Sequence, residues 1–194
     1  MGKINGIVSD YEGNILADAE VLFVDRNFNV LGSGYTNEDG EYYLQINEKT
    51  NGSVIGTYSY GEKYLAFTHA NISTNIPHRI NVTLGNIEFI HFSRELPVNR
   101  EVYTATFQLV SLGKMKRGEN HLSPEKDEHS FKALLDGKLI DEFEITQMVA
   151  EVEEKNATID QYRLSFKSGK DDRGKVLSLV YSKDNEYGIL KSFL

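Results

Sequence analysis

The 194-residue sequence has no cysteine, no tryptophan and only three prolines. Without cysteine there is no disulfide framework, no thiolate metal site and no cysteine nucleophile. Positive charge is also scarce: 21 Lys and Arg stand against 29 Asp and Glu, a net charge of −8. Nucleic acid is therefore not an expected partner, because phosphate recognition needs clustered cations. No apolar run approaches the ~18 residues of a membrane-crossing helix, so no transmembrane segment is expected. The start, Met1-Gly2-Lys3-Ile4, lacks the basic and then apolar order of a secretory signal. The sequence reads as cytoplasmic if the chain is complete, and as cell-surface or extracellular if a leader has been removed. Four Asn-x-Ser/Thr sites, at Asn51, Asn71, Asn81 and Asn156, read as coincidences of composition.

What remains is enough for a core: 40% hydrophobic residues, with eleven tyrosines and ten phenylalanines. Up to about Asn86 the pattern is short apolar or alternating runs separated by Gly, Asn and Asp, as in a small β-sandwich. Ile4, Gly6 and Val8 share one face of a first strand, and Asp10 to Gly13 turn the chain. Val21 and Phe23 oppose Leu22 and Val24 in a second strand. Residues 29–35 form a third, whose glycines imply a bulge or a close approach. Asp39-Gly40 supplies the positive φ of a tight hairpin, and Tyr42 alternates with Tyr43, which puts at least one of them in a core or interface. Further strands are expected over residues 54–60, 64–70 and 79–84, seven in all.

Several of these landmarks occur in a characteristic order: Gly6-x-Val8-x-Asp10-x-x-Gly13, Ala19-x-Val21, Thr36-Asn-Glu-Asp39-Gly40-Glu-Tyr42-x-Leu44, Tyr58-Ser-Tyr60-Gly61-Glu-Lys-Tyr64 and Ile80-Asn-Val82-Thr-Leu84. In this order residues 1–86 resemble the carboxypeptidase regulatory-like domain, a transthyretin-like β-sandwich. Asn37 departs from the Asp frequent in that family after the Thr, although either side chain can hold the turn. The resemblance implies a structural or binding module rather than a peptidase, since catalysis in the enzymes that carry it belongs to another domain. Asp10, Gly13, Asp39, Gly40 and Gly61 read as turn residues. Asp10, Glu12, Glu38 and Asp39 could hold Ca²⁺ only if their loops met at one end of the sandwich.

From Ile87 onward the composition shifts. Residues 87–194 hold 16 of the Lys and Arg and 19 of the Asp and Glu, a balance of −3, against 5 and 10, or −5, before them. The domain boundary is placed at 86/87, with tight contact between the halves. Strands are expected over 88–92 and 102–110, a hairpin at Asp136-Gly137, a second hairpin between 162–167 and 176–181 through the turn 168–174, and a last strand over 189–194. The segment 140–155 is ambiguous and reads as strand with a loop. The expected fold is all-β, two sandwiches, the second immunoglobulin-like but without the cysteine and tryptophan of antibody domains.

No His-Glu-x-x-His, phosphate loop, dinucleotide glycine pattern or nucleophile elbow is present. Ser123-x-x-Lys126 stands alone, without the companion elements of serine acyl-enzymes. No catalytic residue and no cofactor is assigned. The densest group of ligand types is His121, Glu125, Asp127, Glu128 and His129, where a divalent metal could be bound if His121, Glu125 and His129 converged. Arg94, Arg100 and the run Lys114 to Arg117 are minor basic spots. The tyrosines are the stronger lead: Tyr58, Tyr60 and Tyr64, exposed in a row, would suit a sugar ring or a protein partner's pocket. The sequence thus points to a non-catalytic interaction protein with a protein or glycan ligand. A carbohydrate-binding module is the alternative, a metal-dependent enzyme at 121–129 is the third reading, and oligomerisation through open sheet edges is a further possibility.

Overall fold

In the computed structural model, which describes residues 2–95, 101–154 and 157–194, with 149–154 and 170 described by their backbone alone, alternation decides the strands. Arg100, Lys155 and Asn156 lie outside the described residues. Strand β4 (Glu41–Ile46) shows the pattern clearly, with Tyr42, Leu44 and Ile46 buried and Glu41, Tyr43 and Gln45 exposed. Before it come β1 (Gly2–Asp10), β2 (Glu20–Asp25) and β3 (Val30–Tyr35). After it come β5 (Asn51–Thr57), β6 (Phe67–Ser73), β7 (His78–Arg79) and β8 (Val82–Leu84), so the first half has eight strands where seven were expected. The second half contains β9 (Ile87–Glu95), β10 (Val102–Ser111), helix α1 (Leu112–Arg117), β11 (Phe131–Leu135), β12 (Lys138–Leu139), β13 (Phe143–Glu154), β14 (Ala157–Lys167), β15 (Val176–Lys183) and β16 (Glu186–Phe193). Among the described residues the protein is all-β apart from α1 and a short 3-10 turn at 170–172, and the ambiguous 140–155 segment is largely the strand β13.

Three sheets are formed. The first has the order β4-β1-β7, with β8 also on β1, and the second has the order β13-β14-β10-β9. The third runs β12-β11-β15-β16-β6-β5-β2-β3 and passes through both halves of the chain. Its midpoint is a parallel pairing of β16 with β6, Leu190 opposite Thr68 and Ser192 opposite Ala70. On one side of that seam, the first sheet packs on β3-β2-β5-β6 over Ile4, Val8, Phe23, Leu44, Val54 and Phe67. On the other side, the second sheet packs on β12-β11-β15-β16, where Phe107 stacks on Tyr162 at 5.5 Å and meets the edge of Phe131 at 6.1 Å.

Two expected hairpins are sheet crossings instead. Asp39-Gly40 lies between β3, which pairs with β2, and β4, which pairs with β1. The 168–174 turn likewise carries the chain from β14 in the second sheet to β15 in the third. Each turn is locally as expected, but turn chemistry does not decide which sheet receives the next strand. Asp136-Gly137 does close a hairpin between β11 and β12, both residues at positive φ. Helix α1 was not expected, although its caps are written in the sequence: Ser111 Oγ accepts from Lys114 N at 3.2 Å, and Gly118 closes the helix at φ 67°.

Three turns share one construction. Asp10 Oδ1 accepts from the backbone N–H of Glu12 and of Asn14, Asp25 Oδ1 from those of Asn27 and Asn29, and Asn37 Oδ1 from those of Asp39 and Glu41. The fourth position of each loop is left-handed: Gly13 at φ 91°, Phe28 at 62° and Gly40 at 72°. Phenylalanine is strained in that conformation by roughly 1–3 kcal/mol, and Phe28 is 77% exposed.

Candidate functional site

The outer face of the first sheet carries an open groove of about 950 Å³. Strand register builds it. Asn5 of β1 lies opposite Tyr43 of β4 on one side and beside Arg79 of β7 on the other, so these three form one lateral row. Alternation makes Tyr43 half exposed, while its neighbour Tyr42 is buried and donates its hydroxyl to Ile80 O at 2.7 Å. Burial pushes the Tyr42 phenol far above its ordinary range; with Tyr42 inside and Tyr43 outside, Tyr43 is the ring available to a ligand.

At one end of the row stands Tyr35, 66% exposed, its hydroxyl 3.4 Å from Glu20 Oε1. Thr36 fixes that end: its buried hydroxyl accepts from Ala19 N at 2.9 Å and donates to Leu16 O at 2.6 Å. Asn37 and Glu41 border the groove beside it, and Pro77 and His78 close the other side. The His78 ring nitrogen Nε2 is 2.7 Å from Ser73 O. The groove thus offers the ring of Tyr43, with Tyr35 at its border, flanked by amide, carboxylate and guanidinium groups. The sequence set Tyr43 opposite Tyr42 but did not single out Tyr35, Asn5 or Arg79. The alternation of Tyr42 with Tyr43 was the available signal; the row itself depends on pairings between distant strands.

Tyr58, Tyr60 and Tyr64 do not stand in an exposed row. Tyr58 and Tyr64 are half-buried, packed on the first core with ring centroids 6.2 Å apart. The Tyr64 hydroxyl donates to Asp10 Oδ2 at 3.1 Å, and burial with that bond pushes its phenol up to about 12. Burial of Asp10 works against ionisation, but bonds from Asn14, Tyr64 and Glu12 N outweigh it and hold the carboxyl below its ordinary value. Tyr60 is 56% exposed, yet its hydroxyl reaches Glu88 Oε2 of β9 at 3.0 Å. The segment is tied to Asp10 at the end of β1 and to β9 of the second half, which accounts for the hydroxyls of Tyr60 and Tyr64. Gly61 turns there at φ 78°.

His121, Glu125 and His129 do not converge either. His121 Nε2 lies 3.1 Å from Asp160 Oδ1, Glu125 Oε1 bonds Lys114 Nζ at 3.0 Å, and His129 Nε2 is 3.4 Å from Glu128 Oε1. Bonds from Ser130, from His129 N and from Lys183 hold the Asp127 carboxyl down to about 2, within a local turn. Among the described residues, no three His, Asp or Glu side chains come close enough to hold a metal ion, which also leaves Asp10, Glu12, Glu38 and Asp39 without a common centre. Ser123 is fully buried, and its hydroxyl accepts from Asp160 N at 2.8 Å. Of the basic spots, Arg94 lies 5.4 Å over the Tyr103 ring, and Lys114 is buried against Glu125.

No family model matches the sequence, and no curated protein matches it. Among solved structures, the full ectodomain (Ig1–Ig3) of mouse nectin-like molecule 4 is similar at 9% identity and a TM-score of 0.33. The similarity covers 99% of this chain and 62% of that one, and at such a score it carries no argument.

Proposed function

We propose that the protein is a non-catalytic binding module that takes a protein ligand on the outer face of its first sheet. The observation that carries this reading is the pair Tyr35 and Tyr43, both more than half exposed, in one groove with Asn5, Asn37, Glu41 and Arg79. Exposed tyrosines joined to an arginine are what protein contact surfaces concentrate, because each ring gives flat apolar area at small entropic cost. The two facing sheets of residues 2–84 also support the carboxypeptidase regulatory-like reading, in which such a domain serves attachment or binding.

A glycan is the second reading, favoured by the row Tyr43-Asn5-Arg79. A ring face beside an amide and a guanidinium at inter-strand spacing of about 4.8 Å suits a sugar's apolar face and its hydroxyls. Amide chemical-shift mapping against glycans, and against proteins captured by the native chain, tests both. Shifts confined to β1, β4, β7 and residues Tyr35 to Asn37, with affinity reduced at least about fivefold in Tyr43→Ala and Arg79→Ala, are expected, truncation of such contacts costing more than about 1 kcal/mol. A ligand that maps to Tyr60 or to β13 and is indifferent to Tyr43→Ala would remove the groove from the account.

A further inference from the structure

Alternation splits the second-half strands of the third sheet between two faces. Leu177, Leu179 and Leu190 enter the second core, while Val176, Ser178, Val180 and Lys191 take the opposite face and are half-buried. The two valines belong to neither sandwich core. On that face the outward positions of β11, β15 and β16 hold two lysines, Lys132 and Lys191, and no Asp or Glu. In a chain with 29 acidic residues, positive charge there stands without its counterpart.

Register sets three polar side chains in one lateral row on this face. Ser178 of β15 lies opposite Lys191 of β16, and Lys191 lies beside His69 of β6. Among the described residues none of these three side chains has a hydrogen-bond or ion-pair partner. Water can serve the half-exposed Ser178, but His69 is 4% exposed, with both ring nitrogens buried. The Lys191 ammonium rests 5.9 Å from the centre of the Phe67 ring, and burial pulls its pKa below the ordinary value. Buried polar groups are nearly always hydrogen-bonded, and an exception calls for a ligand, an ion or a water. Two such exceptions stand side by side here, and every group in the row can donate.

We infer that Ser178, Lys191 and His69 form a second binding site, for a carboxylate carried on an apolar body. Lys191 supplies the charge, and the ligand supplies the counter-charge that this buried cation lacks. Ser178 donates its hydroxyl to the same carboxylate. The single ammonium of the row matches a single negative charge, whereas a phosphate dianion would call for further cations. The apolar body lies against Val180 and Phe193, both half-buried on the same face. The Phe193 ring stacks on His69 at 5.0 Å, and it turns aside for the imidazole to donate to the ligand.

Chemical-shift mapping of the whole chain with hexanoate reads the site, alongside a capped peptide with one glutamate between leucines, and inorganic phosphate. Hexanoate is expected to move signals of β15, β16 and His69, Phe193 included, with a dissociation constant of about 1 mM or tighter. It should also raise the pKa of the Lys191 amine, since a nearby anion favours the charged form. Lys191→Met keeps the stem and weakens binding at least about tenfold, and Ser178→Ala weakens it about threefold. Circular dichroism confirms that each variant retains its β content. Binding of the peptide in place of hexanoate supports the site and makes its source an acidic side chain of a partner. Silence of both probes overturns the inference. So does binding that folded Lys191→Met retains in full, or phosphate bound as tightly as hexanoate. The row lies on a different sheet from Tyr43, so Tyr43→Ala leaves hexanoate binding unchanged and the two sites fail or stand separately.

Discussion

His69 is buried in β6 with neither ring nitrogen hydrogen-bonded. Phe193 stacks on it at 5.0 Å, Lys191 faces it in register across the seam, and His78 also packs against Phe193 at 5.3 Å. Burial first, then the charges of Lys191 and His78, pulls its pKa from 6.5 down to about 3. Between those values the unfolded chain binds a proton that the folded one refuses. This residue's contribution is therefore intact above pH 6.5 and is lost as pH falls towards 3, at up to about 1.4 kcal/mol per unit. Urea unfolding at pH 7 and pH 4 should show native protein losing about 2–3 kcal/mol more than His69→Leu; parallel losses in the two proteins would contradict this account. Nothing in the sequence announced this residue, because what stacks on it comes from the last strand. Tyr42 and Tyr43, by contrast, were assigned opposite faces by alternation, and one is core and the other surface.

At the scale of elements, local chemistry was legible and destination was not. Asp136-Gly137 turned as its residues dictate, and so did Asn37 to Gly40, yet one closes a hairpin while the other moves the chain between sheets. The difference lies in which faces Tyr42, Leu44 and Ile46 must cover, a matter of distant partners. Thr36 holds the entrance to that crossing with two buried hydrogen bonds. Thr36→Val keeps the shape but leaves Ala19 N and Leu16 O unsatisfied, a loss of about 2–3 kcal/mol by denaturant titration. A loss below about 0.5 kcal/mol would mean that water replaces the hydroxyl. The same logic explains the candidate site: each residue of the Tyr43-Asn5-Arg79 row is ordinary in sequence, and the row exists only because β1 pairs with β4 and β7 at once.

For the whole molecule, the composition shift near Asn86 was visible, while the continuity of one sheet through both halves was not. Phe67–Ser73 and Glu186–Phe193 are plain strand sequences, and neither identifies the other as its neighbour. The joint is reinforced by Asn86, whose side chain donates to Asn185 O and accepts from Tyr187 N, and by Tyr11 stacked on Tyr187 at 5.7 Å. A methyl group on Gly85 would collide with the Tyr187 carbonyl, so the two backbones meet there with no room for a side chain. Calorimetry should accordingly record one unfolding transition for native protein, with Gly85→Val lowering the melting temperature of the whole. Two resolved transitions in the native protein would show that the halves unfold independently.

The parallel seam also sets an order of events in time. Asn71 and Ser192 bond across it although they are 121 positions apart in the chain. During synthesis the first half can collapse as soon as it emerges, but β6 must wait with one side bare until the final strand of this sequence leaves the ribosome. Closing so long a loop is slow compared with the local pairings on either side. The moment of greatest exposure to wrong strand pairing therefore comes late, when every other strand has emerged and both cores still lack the side chains that β16 brings to them, Leu190 to one and Ile189 and Phe193 to the other.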